Sequence, residues 1–299
     1  MKKCLIFGAA GRVGSHLVSY LSKLGDDVIA CTRKECNLEN RDDIKELILS
    51  VQPTHVINCA AISGLETCLD DPVLAHRVNA MAPEMMAQAC HLKGIRFIHL
   101  STDYVLDGRR AGLKEESAKC KPISVYGESK FEAELRIMDV MPEALVARVS
   151  WVFGNWARPA FPEMILKKAI QGEPLAAIAD KWSMPTWVGD LSEWLRILAF
   201  EKEYEGVLHL CQSGEPISWH SYAQLVVKNA CEMGLISSIP EILEQKLDEQ
   251  SFFRDARPRH TAMSSNKLAL ILDKPIRHYE EALGLAISGF TATMPQTHE

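Results

Sequence analysis

No stretch of the 299-residue chain is apolar for long enough to cross a bilayer, and no repeat, low-complexity tract or basic stripe is visible in it. The first absence argues against a helical membrane span. The second argues against solenoids and disordered tails. With a formal net charge of -6, a nucleic-acid partner is disfavoured. None of the nine cysteines falls in a CxxC pair or a Cys/His cluster with zinc spacing. Their number is odd and several sit in apolar runs, which fits reduced, mostly buried thiols in a cytoplasmic protein better than a disulfide framework. The basic and apolar start, Met1–Phe7, resembles a signal peptide only until Gly8, Gly11 and Gly14 interrupt it. What is present is ordinary for a globular protein: 47% hydrophobic and 24% charged residues, in a chain long enough to bury a large core.

The first half alternates short apolar runs with amphipathic stretches. The runs are Cys4–Phe7, Val28–Cys31, His55–Cys59, Arg96–Leu100 and Leu145–Val149. Between them lie Val13–Leu24, Asp42–Val51, Pro72–Lys93 and Val125–Val140, with Asp70-Asp71-Pro72 reading as a capped helix start. Apolar strands separated by helices imply a parallel sheet covered on both faces, and right-handed crossovers make it doubly wound. The expected fold is therefore α/β, a Rossmann-type sheet over residues 1–150 followed by a smaller α+β lobe over 151–299, parts of which pack back on the first sheet. Helix-like stretches in the lobe are Pro162–Gln171, Leu191–Phe200, Tyr222–Met233 and Pro240–Leu247; Pro174–Ile178 and Val207–Leu210 are strand-like.

Gly8-Ala9-Ala10-Gly11-Arg12-Val13-Gly14 follows the first strand and opens a helix. Glycines there allow a tight turn and close approach of a pyrophosphate to the backbone. The helix N-terminus offers free N–H groups and the positive end of its dipole. A dinucleotide is the favoured ligand. The second strand ends in Cys31-Thr32-Arg33-Lys34, without the carboxylate that grips the ribose of NAD. Arg33, with Arg12, could bind a 2′-phosphate, so NADP is expected over NAD.

Tyr126-Gly127-Glu128-Ser129-Lys130 places a phenol and an ammonium four residues apart, on one helix face. A nearby ammonium stabilises a phenolate, which makes the tyrosine usable in acid–base chemistry. Upstream, His99-Leu100-Ser101-Thr102-Asp103-Tyr104 closes the fourth strand with hydroxyls that could bond a substrate carbonyl.

These segments together resemble the extended short-chain dehydrogenase/reductase superfamily and, within it, the dTDP-4-dehydrorhamnose reductase family. The specific pieces are Ser101-Thr102-Asp103-Tyr104-Val105-Leu106-Asp107-Gly108, Tyr126-Gly127-Glu128-Ser129-Lys130 and Arg148-Val149-Ser150-Trp151-Val152-Phe153-Gly154, with Met184-Pro185-Thr186 and Ala256-Arg257-Pro258 further on. The resemblance implies reduction of the C4 keto group of a nucleotide-linked 4-keto-6-deoxy sugar by NADPH. It implies Tyr126 as proton donor, Lys130 as the group that lowers the phenol's pKa and binds the ribose, and Thr102 as partner of the C4 oxygen. Gly8, Gly11, Arg12, Val13, Gly14, Thr32, Arg33, Asn37, Leu38, Ala60, Ala61, Ile62 and Ser63 would contact the cofactor. Asp103 and Trp151 would line the sugar pocket, and Arg257 would reach the nucleotide pyrophosphate. A homodimer is a possible assembly.

Related dehydratases carry Asp-Glu after the threonine; here Tyr104 follows Asp103, which favours reduction over dehydration. Some members hold magnesium through glutamates, but His16 stands at one such position, so no metal is expected. Asn37 departs from the family near the adenine, and the departures at Ser63–Glu66, Arg158–Phe161 and Asp180–Met184 lie in substrate-facing segments. They keep two other readings open: an epimerase or reductase of another nucleotide sugar, and a non-catalytic NADP-binding subunit resembling the beta subunit of methionine adenosyltransferase. Of the six tryptophans only Trp151 falls in a family segment; the others, and the isolated His99 and His220, read as packing or structural residues.

Overall fold

The structure is a computed structural model and describes residues 2–291. Its first half runs β1 (Lys3–Phe7), α1 (Arg12–Lys23), β2 (Asp27–Cys31), α2 (Arg41–Val51), β3 (His55–Asn58), α3 (Leu65–Asp70), α4 (Pro72–His76), α5 (Ala82–Lys93), β4 (Arg96–Thr102), α6 (Val125–Val140) and β5 (Leu145–Val149). The second half adds β6 (Val152–Phe153), α7 (Phe161–Ile170), β7 (Leu175–Ile178), β8 (Trp182–Ser183), β9 (Thr186–Trp187), α8 (Val188–Phe200), β10 (Gly206–His209), β11 (Ile217–Ser218), α9 (Trp219–Glu232), β12 (Ile242–Gln245), α10 (Asn266–Leu272) and α11 (Tyr279–Thr291).

Six strands form one parallel sheet in the order β2-β1-β3-β4-β5-β10. The chain winds one way from β1 to β2 and the other way from β3 onward, so the switch point lies between β1 and β3, where such sheets bind ligands. Alternation along the strands builds two cores. Leu5, Phe7, Val56, Phe97 and Val146 face α2, α5 and α6, packing on Ile44, Ile48, Met86 and Ile137. Cys4, Ile6, Ile57, Ile98 and Ala147 face the other way, onto Leu17 and Leu21 of α1. The same second face receives Leu191, Trp194, Leu195 and Leu198 of α8, a helical stripe. The chain thus leaves the first sheet after β5 and returns to it with α8 and β10. A separate core around Phe153, Leu166, Tyr222 and Leu283 holds the lobe.

Two elements differ from the sequence reading. The single helix expected over Pro72–Lys93 contains a π turn at Arg77–Met81. Pro83 in the next turn has no N–H for the carbonyl of residue 79, so the ladder slips there. Pro240–Leu247, expected as a helix, contains β12, whose residues Ile242–Gln245 pair in parallel with β7. Leu243 on that segment is exposed, so it has no helical stripe to bury, and the open edge of β7 decides its conformation. Asp71 does cap α4, accepting from the Leu74 N–H at 2.9 Å. All nine cysteines lie among the described residues and all are free thiols.

Candidate active site

The carboxyl ends of β1, β2 and β3 converge on a cavity of about 300 Å³. Gly8, Gly11, Thr32, Arg33, Asn37, Leu38, Ala60, Ala61 and Ile62 line it. Gly8 adopts φ +77°, and a Cβ there would lie 2.6 Å from the Ala60 nitrogen. A Cβ on Gly14 would lie 2.2 Å from the Gly8 carbonyl oxygen; that glycine lets α1 pack onto the turn and touches neither cavity. Gly11 caps α1 without a side chain, so the first N–H groups of the helix stay open to an anion. An apolar slot leading to uncapped backbone donors fits an adenine dinucleotide.

At the mouth of this slot the polar groups hold one another. Glu35 accepts from the Thr32 N–H at 2.8 Å and from its hydroxyl at 2.6 Å. Arg33 is largely exposed and donates to Glu39 at 2.7 Å. Arg12 is not beside Arg33. Its guanidinium donates to the carbonyls of Arg158 and Pro159, each at 2.8 Å, while Asn155 donates to the Arg12 carbonyl. Residues 155–159 therefore strap the lobe to the glycine turn.

A second cavity of about 570 Å³ adjoins the first, sharing Gly11, Cys59 and Ala61. It brings together Arg12, Val13, Ser63, Thr102, Asp103, Tyr126, Lys130, Trp151 and Arg257. The π turn helps shape it: buried Asn79 bonds Ile62 through both its amide oxygen and nitrogen and donates to Ser129 at 3.0 Å, fixing the loop after β3 against α6. Ser124 caps α6, accepting from Gly127 at 3.1 Å, and so orients Tyr126 and Lys130 in its first turns.

Burial pushes the Tyr126 phenol up, and the hydrogen bond from Thr102 works against that rise. Lys130 is pulled down to about 7 by burial. Its side-chain nitrogen lies 2.9 Å from His99 Nε2 and 2.7 Å from the Leu100 carbonyl. Asp103 is buried beside them. Its carboxylate accepts from Ser183 at 3.0 Å and from Thr261. Below the site, Arg148 of β5 makes a two-pronged bond to Glu134 of α6, at 2.9 and 2.6 Å, and Ser101 donates to the same carboxylate at 2.5 Å.

The far wall is aromatic. Trp151 holds a left-handed φ of 43°, sparsely populated for a bulky residue, and its ring packs on Trp219 and Tyr222. Phe161 stacks on Trp219 at 5.5 Å. Arg257 lies over the Phe253 ring and donates to Glu66 at 2.9 Å. Trp219 is thus a cavity residue. Phe253 and Thr261 were not singled out in the sequence; Phe161 and Ser183 fall in Arg158–Phe161 and Asp180–Met184, which were read there as substrate-facing. His16 bonds Ser192 at 2.9 Å. Among the described residues no group of three or more His, Cys, Asp or Glu side chains is placed to hold a metal ion, and no helix is long and apolar enough to cross a membrane.

Residues 1–292 match the family model described as RmlD substrate binding domain. A dTDP-4-dehydrorhamnose reductase of Mycobacterium tuberculosis is 30% identical over 292 residues, covering 96% of this chain and 93% of the relative. A dTDP-4-keto-6-deoxy-D-glucose reductase of Streptomyces niveus is 29% identical over 281 residues, covering 93% and 94%. Among solved structures, dTDP-4-dehydrorhamnose reductase of Bacillus anthracis in complex with NADP superposes with a TM-score of 0.87 at 24% identity, over 96% of this chain and 99% of that one. A parallel sheet with its switch point over a glycine turn, a tyrosine and lysine one helical turn apart, and a match along nearly the whole chain lead to one assignment: this protein belongs to the dTDP-4-dehydrorhamnose reductase family of oxidoreductases.

Proposed function

We propose that the protein reduces the C4 keto group of a dTDP-linked 4-keto-6-deoxy sugar, with Tyr126 as the proton donor and NADPH as the reductant. The observation that carries this reading is the shared wall of the two cavities: Thr102, Tyr126 and Lys130 line the larger one where it opens, past Gly11 and Ala61, onto the dinucleotide slot. When bound, NADPH supplies the hydride. The chain supplies the rest. Burial keeps the Tyr126 phenol protonated at neutral pH, the state a proton donor requires. Thr102 bonds the phenol and is placed to bond the same substrate oxygen. Gly8, Gly11 and the open end of α1 receive the pyrophosphate, and Arg33 and Thr32 the 2′-phosphate, in exchange for their present acidic partners. Asn37, Leu38, Ala60 and Ile62 enclose the adenosine; Val13 and Ser63 flank the nicotinamide half.

On the sugar side, Asp103 is held by Ser183 and Thr261 in one orientation. Trp151 and Trp219 offer faces for the sugar or base, and Arg257 offers a cation to the nucleotide phosphates once Glu66 is displaced. The reading includes a cytoplasmic location, which suits nine free thiols, and a homodimer, which light scattering would test. Residues 1–150 serve as the cofactor half and 151–299 mainly as the substrate half.

The test is turnover. Following the nicotinamide absorbance with dTDP-4-keto-6-deoxy-L-mannose, the wild type should oxidise NADPH. Tyr126→Phe should lose about 10²–10⁴ in kcat while its Kd for NADPH stays within about threefold. A fully active Tyr126→Phe enzyme would refute the assignment of the proton donor.

A further inference from the structure

Behind the catalytic tyrosine, Lys130 ends a buried polar chain whose other two members, Asn58 and His99, the proposed function does not use. Asn58 at the end of β3, His99 in β4 and Lys130 in α6 are each 0–1% exposed. Asn58 Nδ2 lies 3.0 Å from His99 Nδ1, and His99 Nε2 lies 2.9 Å from Lys130 Nζ. One fixed donor sets the direction of the whole chain. The Ala60 backbone N–H, which can only donate, points to Asn58 Oδ1 at 3.0 Å. The amide nitrogen of Asn58 therefore faces the ring, and His99 Nδ1 must accept. A neutral imidazole carries a single N–H, which is then on Nε2 and faces the lysine. An ammonium has three donors and no acceptor, so it cannot receive that hydrogen. A free amine has a lone pair and can, while its own hydrogen goes to the Leu100 carbonyl at 2.7 Å.

We propose that His99, oriented by Asn58, is a positioning residue that holds Lys130 as a free amine in the cofactor-free protein. The significance of this rests on the proposed reduction and on the role the family resemblance implies for Lys130, lowering the phenol's pKa and binding the ribose; the hydrogen-bond arrangement itself does not. The groups facing the lysine allow it. On its own helix, Glu134 favours the ammonium, but that carboxylate is already paired with Arg148 of β5 and bonded by Ser101 of β4. From the end of β3, the Cys59 thiol is pushed up to about 12 by burial and carries no charge at neutral pH. Tyr126, one turn back, is a neutral phenol. Burial alone pulls His99 below its ordinary range, so the ring holds no second proton. A lysine resting as the amine can take up a proton when the phosphates and ribose hydroxyls of the cofactor arrive, and so change the charge beside Tyr126 only in the loaded enzyme.

The test uses the full chain without cofactor or substrate. Long-range ¹H–¹⁵N correlation of ¹⁵N-histidine-labelled protein at pH 8 reports which ring nitrogen of His99 carries hydrogen. Its resonances are identified by their loss in His99→Gln or, should that variant not fold, by assigning the other histidines one by one. The Nε2–H tautomer is expected; the Nδ1–H tautomer would overturn the proposal. A second arm titrates lysine side chains through their ¹³Cε resonances, with Lys130 identified by its loss in Lys130→Met, since the buried Lys181 is also drawn down, to about 8. Lys130 should lose its proton near pH 7. In Asn58→Asp the new carboxylate accepts from Nδ1, turns the ring to the other tautomer and makes Nε2 an acceptor. The Lys130 midpoint should then rise by about one unit or more, tenfold in the equilibrium. A wild-type midpoint near the ordinary lysine value, or one that Asn58→Asp leaves unmoved, would also overturn it. Failure of the sugar-nucleotide assay would touch neither arm.

Discussion

Replacing Glu134 by Gln isolates the buried ion pair beneath the site. Glu134 and Arg148 are each 4% exposed at the side chain, and the guanidinium grips both carboxylate oxygens while Ser101 binds one of them. The glutamine is nearly isosteric and still offers one carbonyl to the guanidinium. It removes the only carboxylate that pairs with Arg148 among the described residues and turns an amide N–H2 toward a cation. Breaking one side of a buried pair costs about 3–5 kcal/mol. With a urea m-value of about 3 kcal/mol/M, the midpoint should fall by about 1 M or more. Far-UV circular dichroism and tryptophan fluorescence, recorded together, should give coincident transitions. Replacing both partners with apolar residues, Glu134→Leu with Arg148→Met, should recover most of the loss, because no unpaired charge remains buried. A loss below about 1 kcal/mol in Glu134→Gln, or a double variant less stable than the single one, would show that this pair is not the closed, desolvated unit its geometry describes.

Gly14→Ala drives a methyl into the Gly8 carbonyl and should weaken NADPH binding by about tenfold or more; an unchanged Kd by fluorescence titration would contradict the turn's role. Arg33→Ala should lower the ratio of NADPH to NADH kcat/KM by about tenfold, the worth of one charge-assisted bond; an unchanged ratio would remove Arg33 from the 2′-phosphate site. His209 is held down to about 3 from its ordinary 6.5 by burial, then by the Arg148 charge. The unfolded chain gains this proton between pH 6.5 and 3 and the folded chain does not. Stability should therefore fall with decreasing pH across that window, by at most about 1.4 kcal/mol per unit from this group. In His209→Gln the slope of urea midpoint against pH should flatten; an equal slope would reject the assignment.

The sheet and its five leading strands were legible because their signals are local. Short apolar runs mark β1–β5, and the glycine turn and the Tyr126–Lys130 spacing follow from chain geometry alone. What escaped depends on distant partners. Pro240–Leu247 becomes a strand because β7 presents an open edge some 65 residues earlier in the chain. That Phe161 stacks on Trp219 follows from the packing of α7 on α9, a contact no periodicity encodes. Ser183 and Thr261 meet at Asp103 across 78 residues of sequence. Arg12 donates to the carbonyls of Arg158 and Pro159 from across the chain, a contact that no local pattern encodes. His99 reads as an inert core histidine because its neighbour Lys130 comes from another element.

The return of the chain to the first sheet has a consequence for how the molecule comes apart. β10 covers the edge of β5, pairing Gly206–His209 with Leu145–Arg148, and α8 roofs one face of the same sheet. A fragment ending at residue 150 would expose a parallel edge and an uncovered apolar face, both templates for self-association. The cofactor half is thus no autonomous module: its edge and its roof are made from sequence that follows it, and the two halves should melt as one cooperative unit.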